Sequence, residues 1–132
     1  MMRYMLDTNI CIYLIKQFPP EVAERFAQCH YGDVVMSAIT YAELWHGVQA
    51  SGERQAQNRA ALLSLVEDIP ILPFADNQAI QFGAYRMLAN RKATLDCMIA
   101  AHAYSENCTL VTNNEKGFEN FTDLAVENWI KA

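Results

Sequence analysis

Three acids and one polar cluster are the residues whose types and placement could do chemistry: Asp7 in MLDTNI, Glu43 in TYAEL, Asp96 in LDCMIAAHA, and Thr112, Asn113 and Asn114 in LVTNN. Asp7 follows an apolar run, Tyr4-Met5-Leu6, with nothing between. Glu43 comes a few residues after a second such run, and Asp96 opens a helix that leads into an inner strand ending at Thr112. In a parallel α/β sheet, ligands gather at the carboxyl ends of the strands, where helix N-termini also point. All three acids are expected at that edge. Two carboxylates about 5 Å apart at an effective dielectric near 20 repel by roughly 3 kcal/mol. A hard divalent cation removes the repulsion, and oxygen-only ligation selects Mg2+ or Mn2+ over zinc. Such a site lowers the pKa of a bound water, steadies the charge on a phosphate and orients an in-line attack.

Each residue also has a plainer reading. Asp7 and Asp96 suit helix N-caps, and Thr40-Tyr-Ala-Glu43 spells a capping box in which Glu43 reaches back to the Thr40 amide. Capping by itself would be served as well by Ser or Asn, so it is the conjunction of three acids that points to a cation. His102 lies six residues beyond Asp96, about 120° round the helix from it at 100° per residue; it is expected to be packed or at an interface. His46 is expected in a structural or dimer role. Arg86, Arg91 and Lys92 precede Asp96 and either grip phosphate groups or close an ordinary charged helix end. Tyr41, Trp45, Phe82 and Tyr85, at helical spacing, are read as core or partner groove rather than as base-stacking platforms.

The elements that must position these residues alternate between short apolar runs and helix-period stretches, the signature of βαβ units and a mostly parallel sheet. The first run is followed by a helix with Ile10, Leu14 and Ile15 on one face, ended by Pro19-Pro20; Pro20 then suits the first turn of a helix over residues 21–28. Residues 33–38 form the second strand, and Thr40 opens the next helix. A long helix covers 53–67. The run 69–74 carries Pro70 and Pro73 and belongs at a sheet edge. Asp76 caps a helix running to about Asn90, a further helix begins near Asp96, residues 109–111 form an inner strand, and residues 124–129 form a short last one.

Bulk properties bound the class. With 132 residues, 52% hydrophobic and 19% charged, the chain is expected to form one globular domain over residues 1–132. No apolar stretch reaches the length of a membrane span, and no signal peptide is read, so a cytoplasmic protein is expected. Cys11, Cys29, Cys97 and Cys108 are scattered and are expected as reduced thiols. A formal charge of −5 argues against coating nucleic acid by electrostatics but leaves room for an enzyme with a small footprint.

MLDTNI, TYAEL, LDCMIAAHA, LVTNNEKGF and the closing VENW, in order and over nearly the whole chain, resemble the PIN-domain ribonucleases, and among them the VapC toxins of toxin-antitoxin pairs. The resemblance implies a three-layer α/β/α sandwich with a mostly parallel sheet in the order 3-2-1-4-5. It implies a Mg2+ or Mn2+ site with Asp7, Glu43 and Asp96 as ligands, and Thr8, Asn9, Thr112, Asn113 and Asn114 around the metal or the substrate phosphate. It also implies endoribonuclease activity on tRNA, with the anticodon stem-loop of initiator tRNA favoured, a homodimer, and a VapB antitoxin that threads a C-terminal segment across the active groove. One departure stands out. Many relatives carry a fourth acid where this chain has Gly117, before Phe118, and others carry it where this chain has Asn114. Glu115 and Glu119 are the nearest substitutes.

Two other functions share parts of this pattern. A catalytically impaired PIN domain that mainly binds its antitoxin is consistent with the absent fourth acid. A phospho-acceptor signalling domain also gathers acids around Mg2+, yet it wants paired acids after the first strand and a lysine after a late one, where this chain has a lone Asp7 and the TNN asparagines.

Overall fold

The computed structural model describes residues 3–89 and 92–130. Five strands, β1 (Arg3–Leu6), β2 (Val34–Ser37), β3 (Ile71–Leu72), β4 (Cys108–Val111) and β5 (Val126–Glu127), form one sheet in the order β3-β2-β1-β4-β5. Every pairing is parallel, with Met5 opposite Val35 and Leu110, Met36 opposite Ile71, and Leu110 opposite Val126. The order expected from the family resemblance is the observed one. The proline-bearing run supplies only two residues to an edge strand, as a chain with few ladder donors must.

Side chains alternate across the strands, and the alternation sorts them into two cores. Met5, Val35 and Leu110 face one side, and pack with Ile99, Ala100, Phe118 and Phe121. Leu6, Val34, Met36 and Val111 face the other, and pack with Ile10, Val22, Leu44, Leu62 and Trp129. Helices α1 (Thr8–Lys16), α2 (Pro20–Ala27) and α4 (Gln55–Asp68) cover the second face, α5 (Asp76–Arg86) and α6 (Thr94–Ser105) the first, and α3 (Ala38–Gln49) contributes Leu44 and Val48 to the second and Ile39 to the first. Burial of both sheet faces fits the predominantly apolar strands β2, buried at every position, and β4, buried at all but Thr109. Pro20 opens α2 as expected.

Three helix starts differ from expectation. Ser37, not Thr40, caps α3: its Oγ accepts the Ile39 N–H at 3.0 Å. The helix therefore begins earlier, Thr40 is buried inside it, and the Thr40–Glu43 capping box does not form. Ala93 precedes α6, so Asp96 lies within its first turn rather than at its cap. Asp76 likewise is the first residue of α5, after Ala75, whose N–H donates to the Gln78 side chain at 2.9 Å. In each case the chain enters helical geometry at or before the residue with the best capping chemistry; for α3 the start is set by the end of β2, which it follows directly, and α6 starts after the loop that follows α5. Helix α5 ends at Arg86, with Met87 as its C-cap, short of the expected end near Asn90; Asn90 itself and Arg91 lie outside the described residues.

Candidate active site

Asp7 sits at the junction of β1 and α1, and the structure gives it the cap role and a site role together. Its Oδ1 accepts the Ile10 N–H at 3.1 Å, closing the start of α1. Its Oδ2 accepts the Thr112 hydroxyl at 2.5 Å. Thr112 follows β4, the neighbour of β1, and its Oγ1 in turn accepts the Asn114 N–H at 3.0 Å. Adjacent parallel strands thus bring Asp7 and the TNN segment together, and the Asp7 N–H donates to the Val111 carbonyl at 3.0 Å.

Burial pushes the Asp7 carboxyl above the usual carboxylate range. The Thr112 hydroxyl and the Ile10 and Asn9 N–H groups oppose that shift, while the charge of Asp96 adds to it. Burial likewise raises Asp96. Two partly desolvated acids that sense each other are an arrangement that a cation would relieve.

Glu43, half-buried on α3, is held by Thr8: the Thr8 hydroxyl donates to Oε1 at 2.5 Å. Glu43 is thereby anchored to the residue next to Asp7. Among the described residues, no three His, Cys, Asp or Glu side chains close into a metal-holding cluster. The donor set still fits a hard cation of the Mg2+ type, which keeps several waters and takes one or two carboxylates directly. Asp7 and Asp96 would be the residues to hold it, and Glu43 is held by Thr8.

The remaining predicted residues separate. Thr112 is fully buried against Asp7, whereas Asn9, Asn113 and Asn114 are exposed. Asn113 joins a polar rim with two residues that the sequence does not single out: its Nδ2 donates to the Tyr13 hydroxyl at 3.5 Å, and the Asn128 Nδ2 donates to its Oδ1 at 3.4 Å. Tyr13 lies six residues past Asp7 on α1, and Asn128 follows β5, which pairs with the strand before TNN. Only the strand order reveals that meeting. Gly117 and Asn114 face each other in the short 3-10 turn Glu115–Phe118 and its lead-in, and a side chain at Gly117 would run into the Asn114 amide.

Of the three histidines, His102 and His46 lie on the helices that carry the acids. His102 is fully buried, with Nδ1 at 2.7 Å from Ser37 Oγ and Phe74 against its ring edge; it is packed, as expected. His46 is exposed, which removes a structural role in the core. Tyr85 stacks on Phe121 in the core, and Tyr41 meets Trp45 edge-on. A groove of about 620 Å³ between α1, α3 and α4 runs beside Glu43, lined by Ile12, Ile15, Lys16, Leu44 and Arg54 among others.

Comparison with known proteins follows the same lines. Residues 4–124 match the PIN domain. The chain is 40% identical over 134 residues to ribonuclease VapC2 of Haemophilus influenzae, covering 98% of this chain and all of that one. It is 36% identical over 133 residues to the tRNA(fMet)-specific endonuclease VapC of Shigella flexneri, covering 98% and 99% of the two chains. Its fold superposes on the DNA-bound VapBC structure of Salmonella typhimurium with a TM-score of 0.86 at 34% identity, covering 98% and 99%.

Proposed function

Since this chain belongs to the VapC family of PIN-domain ribonucleases, we propose that it is a Mg2+- or Mn2+-dependent endoribonuclease toxin that cuts tRNA, with initiator tRNA the favoured substrate. The observation that carries the reading is the pair Asp7 and Asp96, one buried and one half-buried acid, both with pKa raised by burial, at the carboxyl edge of the sheet. The name of the Shigella relative, a tRNA(fMet)-specific endonuclease, supports the substrate.

A cation held there would supply charge neutralisation at the scissile phosphate and a water of lowered pKa. The chain's own residues do the positioning. Thr112 and the Ile10 N–H fix both oxygens of Asp7, and each oxygen has a further lone pair for a ligand. Thr8 aims Glu43. Asn9, Asn113 and Asn114 supply amide groups at the exposed rim, where they can hydrogen-bond phosphate or ribose without adding charge.

The partners follow from the same surfaces. A VapB-type antitoxin is the proposed inhibitor, a C-terminal segment of it lying in the groove beside Glu43, whose mixed apolar and cationic lining suits an amphipathic peptide. The structural relatives include VapBC complexes. An antitoxin arginine among the acids would form bidentate bonds to carboxylate. Exposed Ile80, Met87, Leu88 and Leu95, on and after α5 and at the start of α6, support a homodimer. No helix among the described residues is long and apolar enough to cross a membrane, and the proposed compartment is the cytoplasm, where tRNA resides.

Incubation with total cellular RNA in Mg2+ or in EDTA, followed by mapping of new 5′ ends, tests the proposal. New ends confined to a tRNA anticodon loop and absent in EDTA are expected. Absence of cleavage in either condition, with antitoxin binding retained, would favour the impaired-nuclease reading that Gly117 and Asn114 suggest.

A further inference from the structure

His102 and Ser37 are the fully buried polar pair that the site described above does not use. They stand 65 residues apart in sequence, yet His102 Nδ1 lies 2.7 Å from Ser37 Oγ. Ser37 Oγ already accepts the Ile39 N–H, so its proton is the one to share. If Nδ1 accepts it, the single loose end is the Nε2–H; if Nδ1 donates instead, both the Ser37 proton and the Nε2 lone pair are left over. The first arrangement leaves fewer orphans. Among the described residues Nε2 indeed has no partner, and the nearby-in-sequence Thr40 hydroxyl of α3 has none either. Burial holds the imidazole neutral, with a pKa lowered to about 4, as acceptance at Nδ1 requires.

An unpartnered buried donor costs about 1–3 kcal/mol, which a leucine at this position would avoid. Stability is therefore a poor account of why a histidine stands here. Its location offers a better one. Ser37 caps α3, which carries Glu43 six residues on, and His102 lies on α6 six residues after Asp96. At 1.5 Å of rise per residue each acid stands about 9 Å along its helix from the tie. A tilt of about 6° at the tie moves a carboxylate about 1 Å, a displacement that costs catalysis up to about a hundredfold.

We infer that the Ser37–His102 hydrogen bond sets the relative placement of the helices carrying Glu43 and Asp96, making Ser37 and His102 positioning residues for the acid cluster. The inference rests on reading those acids as the site. Asparagine places a side-chain acceptor where Nδ1 stands, glutamine where Nε2 stands, and phenylalanine keeps the ring without either. The test measures Mn2+ affinity by calorimetry, together with kcat and KM for RNA, on Ser37→Ala, His102→Phe, His102→Asn and the double variant, all at a temperature where circular dichroism shows each to be folded. Ser37→Ala and His102→Phe are each expected to weaken Mn2+ binding and lower kcat about tenfold with KM for RNA unchanged. His102→Asn should stay within twofold of wild type, and the double variant should be no worse than the worse single one. Lower melting temperatures with Mn2+ affinity and kcat within twofold of wild type would overturn the inference, as would additive losses in the double variant, since Ser37 would then act only as a cap. Should His102→Phe not fold, His102→Gln replaces it in the cycle. Asp96→Asn run in parallel separates the two claims: if it leaves Mn2+ binding intact, the site reading itself has failed.

Discussion

The two sides of the acid-bearing edge are built to different standards. On the β1 side, Asp7 is buried, both of its oxygens are hydrogen-bonded, and its neighbour Thr8 holds Glu43. On the far side, the stretch from Asn113 to Gly117 is exposed, the Asn113 amide makes bonds of 3.5 Å and 3.4 Å at the rim, the Asn114 N–H returns to Thr112, and the two positions where the family resemblance leads one to expect a fourth acid hold Asn114 and Gly117. A ligand fixed on a rigid element is held to within fractions of an ångström, and one on an exposed turn is not. The contrast is between a held carboxylate and a loosely held amide rim; on the proposed function, the first would hold a cation and the second would meet RNA without adding charge.

The largest effect should come from removing charge on the Asp7 side. Asp7→Asn and Asp96→Asn are each expected to lower Mg2+-dependent cleavage at least about a hundredfold while leaving the fold as stable or more so. The sign of the stability change follows from the raised pKa values. An acid with a folded pKa above its unfolded one contributes stability at low pH that is lost as pH rises through the folded value, so at pH 7 both carboxylates cost stability and neutral amides do not. Asparagine also retains the oxygen that caps α1. Undiminished cleavage by either purified variant would break the comparison.

His102 makes the opposite contribution, and the two can be separated by pH. Its pKa is lowered to about 4, so its share of stability is present above the unfolded value near 6.5 and is lost as pH falls from there to about 4. The full loss is up to about 3 kcal/mol for this one group. Urea denaturation between pH 7 and pH 4 should show that decline, and His102→Asn should flatten it. An equal slope in wild type and variant would mean that His102 is not the responsible group.

A smaller change sharpens the account of the Asp7 side. Thr112→Val removes the hydroxyl that serves both Asp7 and the Asn114 N–H. A cost of about 1–2 kcal/mol in denaturant is expected, with the Asp7 pKa pushed further up and cleavage at pH 6 falling more than cleavage at pH 8. Gly117→Asp should have the mildest effect and acts on the other side. Gly117 has no positive φ, so backbone strain does not oppose the change; the obstacle is the Asn114 amide, the end of a mobile side chain that can swing away. A half-saturating Mg2+ concentration about tenfold lower is expected, with Gly117→Asn as the uncharged control. Identical metal dependence in all three proteins would mean that Glu115 or Glu119 already serves.

Much of this was legible in the sequence because the signals were periodic or local. Apolar runs located every strand, and prolines placed β3 at the edge. Motifs in order pointed to the sheet order and to the residues of the candidate site. Caps were less legible: Thr40 and Asp96 have the right chemistry, but α3 starts where β2 ends, at Ser37, and α6 starts after Ala93, at the end of the loop from α5. The choice posed between cap and ligand at Asp7 was also too narrow, since a carboxylate has two oxygens and four lone pairs and can do both. The Ser37–His102 bond and the Tyr13–Asn113–Asn128 rim had no local signal, since each joins residues from distant parts of the chain that only the packing of helices and strands brings together.

The account's central claim is that Asp7 and Asp96 together hold one catalytic cation. Calorimetric titration of the purified chain with Mn2+ addresses it without reference to any substrate. One ion per chain is expected for wild type, with binding weakened by at least about tenfold in Asp7→Asn and in Asp96→Asn. Mn2+ binding of unchanged affinity and stoichiometry in both variants would contradict it.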